Sequence, residues 1–174
     1  MKDKSRDYDI IIIGAGLVGL SASLLMSRKI ENILVIDNKR EDSFHSLPES
    51  EDPYQGVKSI ALSLSSTKIF EALGIWRDVK KDAAIIEKVH VSSKGDVGSV
   101  VLSASEIGEE VLGYNVANTI LYSSLYRKVK STKIDFQYDS NLEGISCKKD
   151  HVEICFRVNN LSLIHISEPT RLVS

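Results

Sequence analysis

The segment YDIIIIGAGLVGLSASLLMSRKIENILVID, residues 8–37, contains the pattern that decides the fold. It begins with YDIIII at Tyr8–Ile13, whose run of four isoleucines is typical of a parallel strand buried on both faces. Three glycines follow, then a helix-favouring stretch, LSASLLMSRK, and then a second apolar run at Ile33–Ile36. Strand, helix and strand within about 30 residues match the size of one βαβ unit. The sequence therefore predicts an α/β fold built on a parallel sheet.

The glycines form the motif G-x-G-x-x-G between the first strand and the helix. Gly14 permits a tight turn, Gly16 lets a diphosphate approach the backbone, and Gly19 allows the helix to pack closely on the sheet. The helix N-terminus adds N–H groups and the positive end of the helix dipole. We therefore predict a dinucleotide site of the Rossmann type. Its expected contacts are Gly14, Ala15, Gly16, Leu17 and Gly19.

Asp37 follows the second strand at nearly the spacing, about 20 residues, that is expected for a ribose-binding acid. Its carboxylate would accept hydrogen bonds from the adenosine ribose, and its charge would repel a 2′-phosphate, so NADP is a poor ligand for this site. The motif reads only the ADP moiety that FAD and NAD share. It therefore does not by itself distinguish these two cofactors.

Beyond Asp37 the pattern changes. Residues 38–56 are polar, with charges of both signs, and predict a long exposed loop. An extended piece then precedes a helix that Ser65 or Ser66 would cap and Gly74 would end. The elements expected after this helix are strands at Ile85–Ser92 and Ser99–Ser103, a helix at Thr119–Val129, a strand at Ile134–Tyr138, and a hairpin of Ile145–Cys147 with Val152–Val158.

These elements predict a Rossmann-like FAD-binding βαβ core with inserted antiparallel β-strands of a partial substrate domain. Residues 161–174 continue no such pattern, and they look like translated sequencing-adapter sequence. The predicted parts are 1–82, the N-terminal FAD/NAD(P)-binding part; 83–117, substrate-domain strands; 118–160, the return to the FAD-binding domain with the hairpin; and 161–174, a non-native tail.

Composition excludes several classes of function. The net charge of −2 and the pI of about 6.1 give no basic excess that would indicate nucleic acid or anionic lipid. The two cysteines are too few for a disulfide scaffold, and the four scattered histidines form no metal-ligand cluster, so no metal is expected. The uncharged run Ile10–Met26 is short for a membrane span and is broken by glycines. We expect a cytoplasmic protein.

Four segments resemble the aromatic-ring hydroxylases of ubiquinone biosynthesis, within the larger class of FAD-dependent monooxygenases. They are DYDIIIIGAGLVGLSASLL, KSIALSLSSTKIFEALGIW, KVHVSSKGDVGSVVLSASE and LGYNVANTILYSSL. The third and fourth are more specific than the glycine motif. The resemblance implies FAD as cofactor, NAD(P)H as a candidate electron donor, and O2 with a polyprenyl phenol as substrates. It also implies peripheral contact with the inner membrane face or a ubiquinone-biosynthesis complex, without any contact to nucleic acid.

The same resemblance adds two residues to the predicted site. Lys58 stands where the family usually has an arginine near the flavin; lysine keeps the charge but loses the bidentate fork. Asn118 matches an amide that faces the flavin, and it could equally be the N-cap of the helix that begins there. The resemblance identifies no catalytic residue, so these remain unknown.

Two alternatives stay open from the sequence. The family's Asp-Gly segment and its later Gly-Asp segment have no counterpart in these 174 residues, so the chain alone would be an inactive nucleotide-binding fragment. Another FAD- or NAD-linked oxidoreductase, such as a dehydrogenase, would need further βαβ units directly after Asp37.

Overall fold

The chain forms both strands and helices in the computed structural model, which describes residues 7–41, 58–92, 99–158 and 161–167. The elements are β1 Asp7–Tyr8, β2 Ile10–Ile13, α1 Leu17–Met26, β3 Ile33–Ile36, β4 Ser59–Ser63, α2 Leu64–Ala72, α3 Trp76–Val79, β5 Ala84–Ile86, β6 Lys88–Ser92, β7 Ser99–Ser103, β8 Gly113–Ala117, α4 Asn118–Lys130, β9 Asp135–Gln137, β10 Ser140–Cys147, β11 Val152–Val158 and β12 Leu161–Ser167. Most of the expected long loop, from residue 42 to 56, lies outside the described residues.

The chain divides into two units. Unit 1 is Met1–Leu47 with Leu125–Ser174, and unit 2 is Pro48–Ser124. The predicted parts 1–82, 83–117, 118–160 and 161–174 have other boundaries, and their assignment to a cofactor domain, a substrate domain and a non-native tail stays a prediction.

Unit 1 contains the predicted parallel sheet. Its strands lie in the order β2-β3-β9, with every pair parallel, and α1 connects β2 to β3. All four residues of β3 are buried, as the apolar run Ile33–Ile36 predicts. This is the βαβ arrangement expected from residues 8–37, so the predicted Rossmann-like core is confirmed.

A second sheet in unit 1, in the order β1-β12-β11-β10, completes the core on one side of β3. Leu34 and Ile36 of β3 pack with Tyr8, Ile154 and Phe156 in a buried apolar cluster. Phe156 is fully buried there. The predicted hairpin between residues 145 and 158 is confirmed and supplies this cover, since β10 and β11 pair antiparallel.

The stretch after the hairpin differs from the sequence expectation. Residues 161–167 form β12, which pairs antiparallel with β11 and parallel with β1. Alternating apolar residues in LSLIHIS are compatible with a strand, so the local pattern suffices for pairing whatever the origin of the segment.

Unit 2 contains antiparallel sheets. One has the order β4-β8-β5, and the other is the two-stranded ribbon of β6 and β7. The single strand predicted at Ile85–Ser92 is wrong in detail, because it is divided at Glu87. Residues 84–86 pair with β8, whereas residues 88–92 pair with β7. The antiparallel strands inserted after the first βαβ unit were expected and are confirmed.

The cap of α2 also differs from the prediction. Ser63, not Ser65 or Ser66, is the N-cap: its backbone is extended and its Oγ accepts the Ser66 N–H at 3.2 Å. Ser65 and Ser66 already lie within the first turn of the helix, beyond the N-cap position. Gly74 follows the helix with a φ of +76°, as expected for a terminating glycine. Within the described residues, no helix combines the length and apolarity needed to cross a membrane.

Candidate dinucleotide-binding site

The site begins where β2 ends. The Gly14 N–H donates to the Ile36 carbonyl at 2.7 Å, which ties the turn to the end of β3. Gly14 has a φ of +105°, in a region that side chains rarely adopt, so the turn requires glycine at this position. The first glycine therefore has the turn-forming role that the motif predicts.

The space in front of the turn is open. A Cβ built on Gly14 or Gly16 would meet no atom of the described chain within 4 Å. Gly16 is the N-cap of α1, no side chain caps this helix, and its first turn carries no acidic residue. The first N–H groups of α1 are therefore presented to a group that can approach closely, and a diphosphate suits both the space and the dipole.

The third glycine sets the distance between α1 and the turn. A Cβ on Gly19 would lie 1.8 Å from the Gly14 carbonyl oxygen and 3.0 Å from its carbon. No side chain can occupy such a position without displacing backbone. Gly19 thus allows the helix to begin directly against the turn, as the motif predicts.

Asp37 faces the glycine turn. One carboxylate oxygen accepts the Ala15 N–H at 2.6 Å, and the other accepts the Lys39 N–H at 2.8 Å. Each carboxylate oxygen keeps a further lone pair for a ribose hydroxyl. Ala15 itself is completely buried and its N–H is engaged by Asp37, so its part in the site is to hold that carboxylate. Leu17 begins α1 beside the turn.

The other two predicted residues meet in unit 2. The Asn118 N–H donates to the Lys58 carbonyl at 2.8 Å, which extends the β4–β8 ladder by one position. The Asn118 Oδ1 atom is buried, and within the described part of the chain it has no hydrogen-bond partner. It therefore does not cap α4, and the N-cap interpretation is wrong. A buried acceptor without a donor is costly, which favours an external donor at this atom.

The structure thus brings the predicted residues together in two sets. Gly14, Ala15, Gly16, Leu17, Gly19 and Asp37 lie together in unit 1; Lys58 and Asn118 lie together in unit 2. The first set fits the ADP half of a dinucleotide, because it combines open space, helix N–H groups and a carboxylate. The second set is joined by one backbone hydrogen bond, and it leaves the buried Asn118 Oδ1 without a partner among the described residues.

The contact of the Lys39 backbone with Asp37 was not predicted from the sequence. Its N–H donates to Asp37 two residues earlier, the local Asx-turn pattern that aspartate favours after a strand. The sequence Asp37-Asn38-Lys39 carries this signal. The turn matters because it fixes the orientation of the Asp37 carboxylate.

Comparisons with known proteins agree with this geometry. The FAD binding domain family matches residues 7–160, which cover both sets of site residues.

Three curated relatives are similar at low identity. An uncharacterized protein of Synechocystis, slr1300, is 25% identical over 150 residues, covering 86% of this chain and 34% of that protein. The 3-demethoxyubiquinol 3-hydroxylase of Escherichia coli K12 is 25% identical over 127 residues, covering 73% of this chain and 31% of that protein. The mitochondrial ubiquinone biosynthesis monooxygenase COQ6 of Dictyostelium discoideum is 24% identical over 150 residues, covering 74% and 28%. The chain therefore spans about a third of the length of these relatives.

Solved structures share the fold. The anhydrotetracycline hydroxylase OxyS of Streptomyces rimosus matches with a TM-score of 0.71 at 14% identity, covering 94% of this chain and 30% of that one. The flavin-dependent monooxygenase PieE, solved with FAD and substrate, matches with a TM-score of 0.70 at 15% identity, covering 94% and 29%.

Proposed function

Because the chain belongs to the FAD binding domain family, we propose that it supplies the ADP-binding part of a flavin-dependent aromatic hydroxylase. FAD is the cofactor of this family. The observation that carries the proposal is the open glycine turn with the Asp37 carboxylate bound to the Ala15 N–H at 2.6 Å. That arrangement combines a diphosphate cradle and a ribose acceptor in one place.

Each residue has a defined task in the proposal. The backbone at Gly14 and Gly16 and the N-terminus of α1 bind the diphosphate, and Asp37 binds the ribose hydroxyls. Lys58 and Asn118 of unit 2 stay predicted cofactor contacts, and a donor on the ligand would satisfy the buried Asn118 Oδ1. When bound, FAD supplies the electron transfer and O2 activation for hydroxylation. The protein's own contribution is to bind, to orient and to exclude water.

The proposed reaction is hydroxylation of the aromatic ring of a polyprenyl phenol in ubiquinone biosynthesis, with O2 as co-substrate and NAD(P)H as a candidate donor. Within this class, we propose that the enzyme is most similar to 2-octaprenyl-6-methoxyphenol hydroxylase. Support comes from the segments 88–106 and 112–125 and from the relatives whose names include ubiquinol hydroxylase and ubiquinone biosynthesis monooxygenase. An apolar substrate of this kind favours a cytoplasmic protein in peripheral contact with the inner membrane face or a ubiquinone-biosynthesis complex.

The test of cofactor binding is a titration of the purified 174-residue chain with FAD, followed by quenching of FAD fluorescence. Wild type and Asp37→Asn are compared with Asp78→Asn, which removes an exposed carboxylate paired with Lys81. We expect saturable binding that Asp37→Asn weakens by about tenfold and that the control leaves unchanged. An Asp37→Asn variant that binds like wild type would contradict the role of Asp37.

The reaction itself is tested with an octaprenyl phenol, NAD(P)H and O2. A protein that contains this chain and the further length of its relatives should form hydroxylated product. Binding of FAD without product by the 174-residue chain would favour the nucleotide-binding fragment. A dehydrogenase is disfavoured, because the described strands between β3 and α4, namely β4 to β8, pair antiparallel rather than as further βαβ units.

A further inference from the structure

A group of side chains near Asp37 is not explained by cofactor binding. It consists of Glu41, Tyr126 and Lys130, with the rings of Phe136 and Tyr138 beside them, all in unit 1. We propose that Glu41, Tyr126 and Lys130 form a clasp that positions the Asp37 carboxylate for the adenosine ribose. This inference rests on the proposed function of Asp37 and adds positioning residues to that site.

The orientation of Asp37 depends on the segment that follows it. The Asp37 carboxylate is oriented by the N–H of Lys39, two residues later. The Lys39 carbonyl in turn accepts the Asp139 N–H, and the Asp37 carbonyl accepts the Ser140 N–H, both at 3.0 Å. Residues 37–39 are thus held by backbone hydrogen bonds to the turn after β9. A shift of this segment would move the carboxylate away from the Ala15 N–H.

The turn after β9 has an unusual backbone. Asp139 has a φ of +51°, a left-handed conformation that aspartate tolerates better than most side chains. This conformation directs consecutive N–H groups, those of Asp139 and Ser140, at the carbonyls of Lys39 and Asp37. The turn and the segment after β3 therefore hold one another.

The far end of this segment is attached to α4 through Glu41. The Glu41 carboxylate accepts hydrogen bonds from the Tyr126 hydroxyl and from the Lys130 ammonium, the latter at 2.8 Å. Both donors lie on α4, one turn apart. Glu41, which lies four residues after Asp37, thus links the segment after β3 to the last turns of α4.

Aromatic rings frame this attachment. The Lys130 ammonium lies 5.6 Å from the ring centroid of Tyr126 and 5.8 Å from those of Phe136 and Tyr138. Phe136 and Tyr138 are stacked at 5.4 Å, and the Tyr138 hydroxyl donates to that of Tyr126 at 3.2 Å. The rings add cation–π attraction to the half-exposed ion pair of Lys130 with Glu41.

The surroundings of Tyr126 and Lys130 favour the protonated form of each group. Burial, followed by the hydrogen bond to Glu41, raises the pKa of the Tyr126 hydroxyl, and the hydrogen bond to Glu41 raises the pKa of Lys130. Both groups therefore stay protonated as donors across the neutral range.

The test compares ADP with 2′,3′-dideoxy-ADP as competitors of FAD bound to the full 174-residue chain. The ratio of their affinities reports ribose recognition alone, because both carry the same diphosphate and base. We expect wild type to prefer ADP, and Glu41→Gln to reduce this preference about three- to fivefold, with dideoxy-ADP binding unchanged. Lys130→Met should act in the same direction, and Lys130→Arg, which keeps the charge, should restore the preference.

The matched control is Glu153→Gln, which removes a carboxylate that also has two partners, Lys148 and His151, in the same unit. It should leave the ADP preference unchanged, and thermal unfolding of both variants shows whether stability differs. An unchanged preference in Glu41→Gln, or an equal loss of ADP and dideoxy-ADP affinity, would overturn the clasp alone. A wild-type chain that does not bind FAD, or does not prefer ADP, would overturn the proposed role of Asp37 and the clasp with it.

Discussion

Strand β3 and the ribbon of β6 and β7 are both rich in β-branched residues, yet their surroundings are opposite. All four residues of β3 are buried, whereas every residue of β6 is exposed. In the ribbon, Val89 pairs with Leu102 and Val91 with Val100, so these four apolar side chains share one face. Their exposed fractions are 38, 50, 52 and 59% for Val89, Leu102, Val91 and Val100.

The two regions differ in whether other residues cover their apolar side chains. Strand β3 is covered by elements of its own unit, including β11 through Ile154 and Phe156. The ribbon has an apolar face that nothing covers among the described residues. Because the core around β3 is built within unit 1, we expect the glycine turn and Asp37 to keep their geometry without a contribution from the ribbon.

The largest effect is expected at the glycine turn of unit 1. Gly19→Ala places a Cβ 1.8 Å from the Gly14 oxygen, and we expect a loss of about 3 kcal/mol or more in the free energy of unfolding. The control, Gly16→Ala, meets no atom within 4 Å and should cost about 1 kcal/mol or less while weakening FAD binding. Urea denaturation measures both. Equal stabilities would mean that α1 does not pack against the turn as described.

Matched truncations test the contrast between buried β3 and the exposed ribbon of β6 and β7. Ile36→Ala removes a side chain that is 1% exposed and should cost about 3 kcal/mol. Val100→Ala removes one that is 59% exposed and should cost about 0.5 kcal/mol or less. Urea unfolding gives both values. A large loss from Val100→Ala would show that the ribbon face is covered in solution, and the contrast between the two regions would fail.

A smaller effect is expected at the N-cap of α2 in unit 2. Ser63→Ala removes the N-cap of α2 and should cost about 1 kcal/mol, because the Ser66 N–H loses its acceptor. Ser65→Ala, in the exposed first turn, should change stability by about 0.5 kcal/mol or less. If thermal unfolding ranks the two variants in the reverse order, the cap assigned here is wrong.

The smallest effect concerns the turn between β10 and β11. Hydrogen bonds to Asp150 and, after it, to Glu153 raise the pKa of His151 from 6.5. A raised folded pKa gives stability that is present below 6.5 and is lost as the pH rises through the folded value. Wild type should therefore lose a small stability advantage over His151→Gln between about pH 5.5 and about pH 8.5. Unfolding midpoints at these two values measure it, and an advantage that grows with pH would contradict the sign.

The sequence predicts the nucleotide unit better than the rest. Tyr8–Ile36 follows strong local rules, since apolar runs and glycine spacing dictate the βαβ unit with little help from distant contacts. The division at Glu87 was not predictable, because it reflects a change of strand partner rather than a change in composition. The clasp was equally hidden: Glu41, Tyr126 and Lys130 meet only through tertiary contacts across 85 and 89 positions.

We expect the turn at Gly14–Gly19 and the Asp37 carboxylate to bind the ADP half of FAD together. Titration of the isotope-labelled chain with ADP, followed by amide chemical shifts, tests this binding residue by residue. Saturable shifts should be concentrated at residues 14–20 and 37–39, with little change along β6 and β7. Absence of binding, or shifts confined to other residues while the glycine turn stays unperturbed, would contradict it.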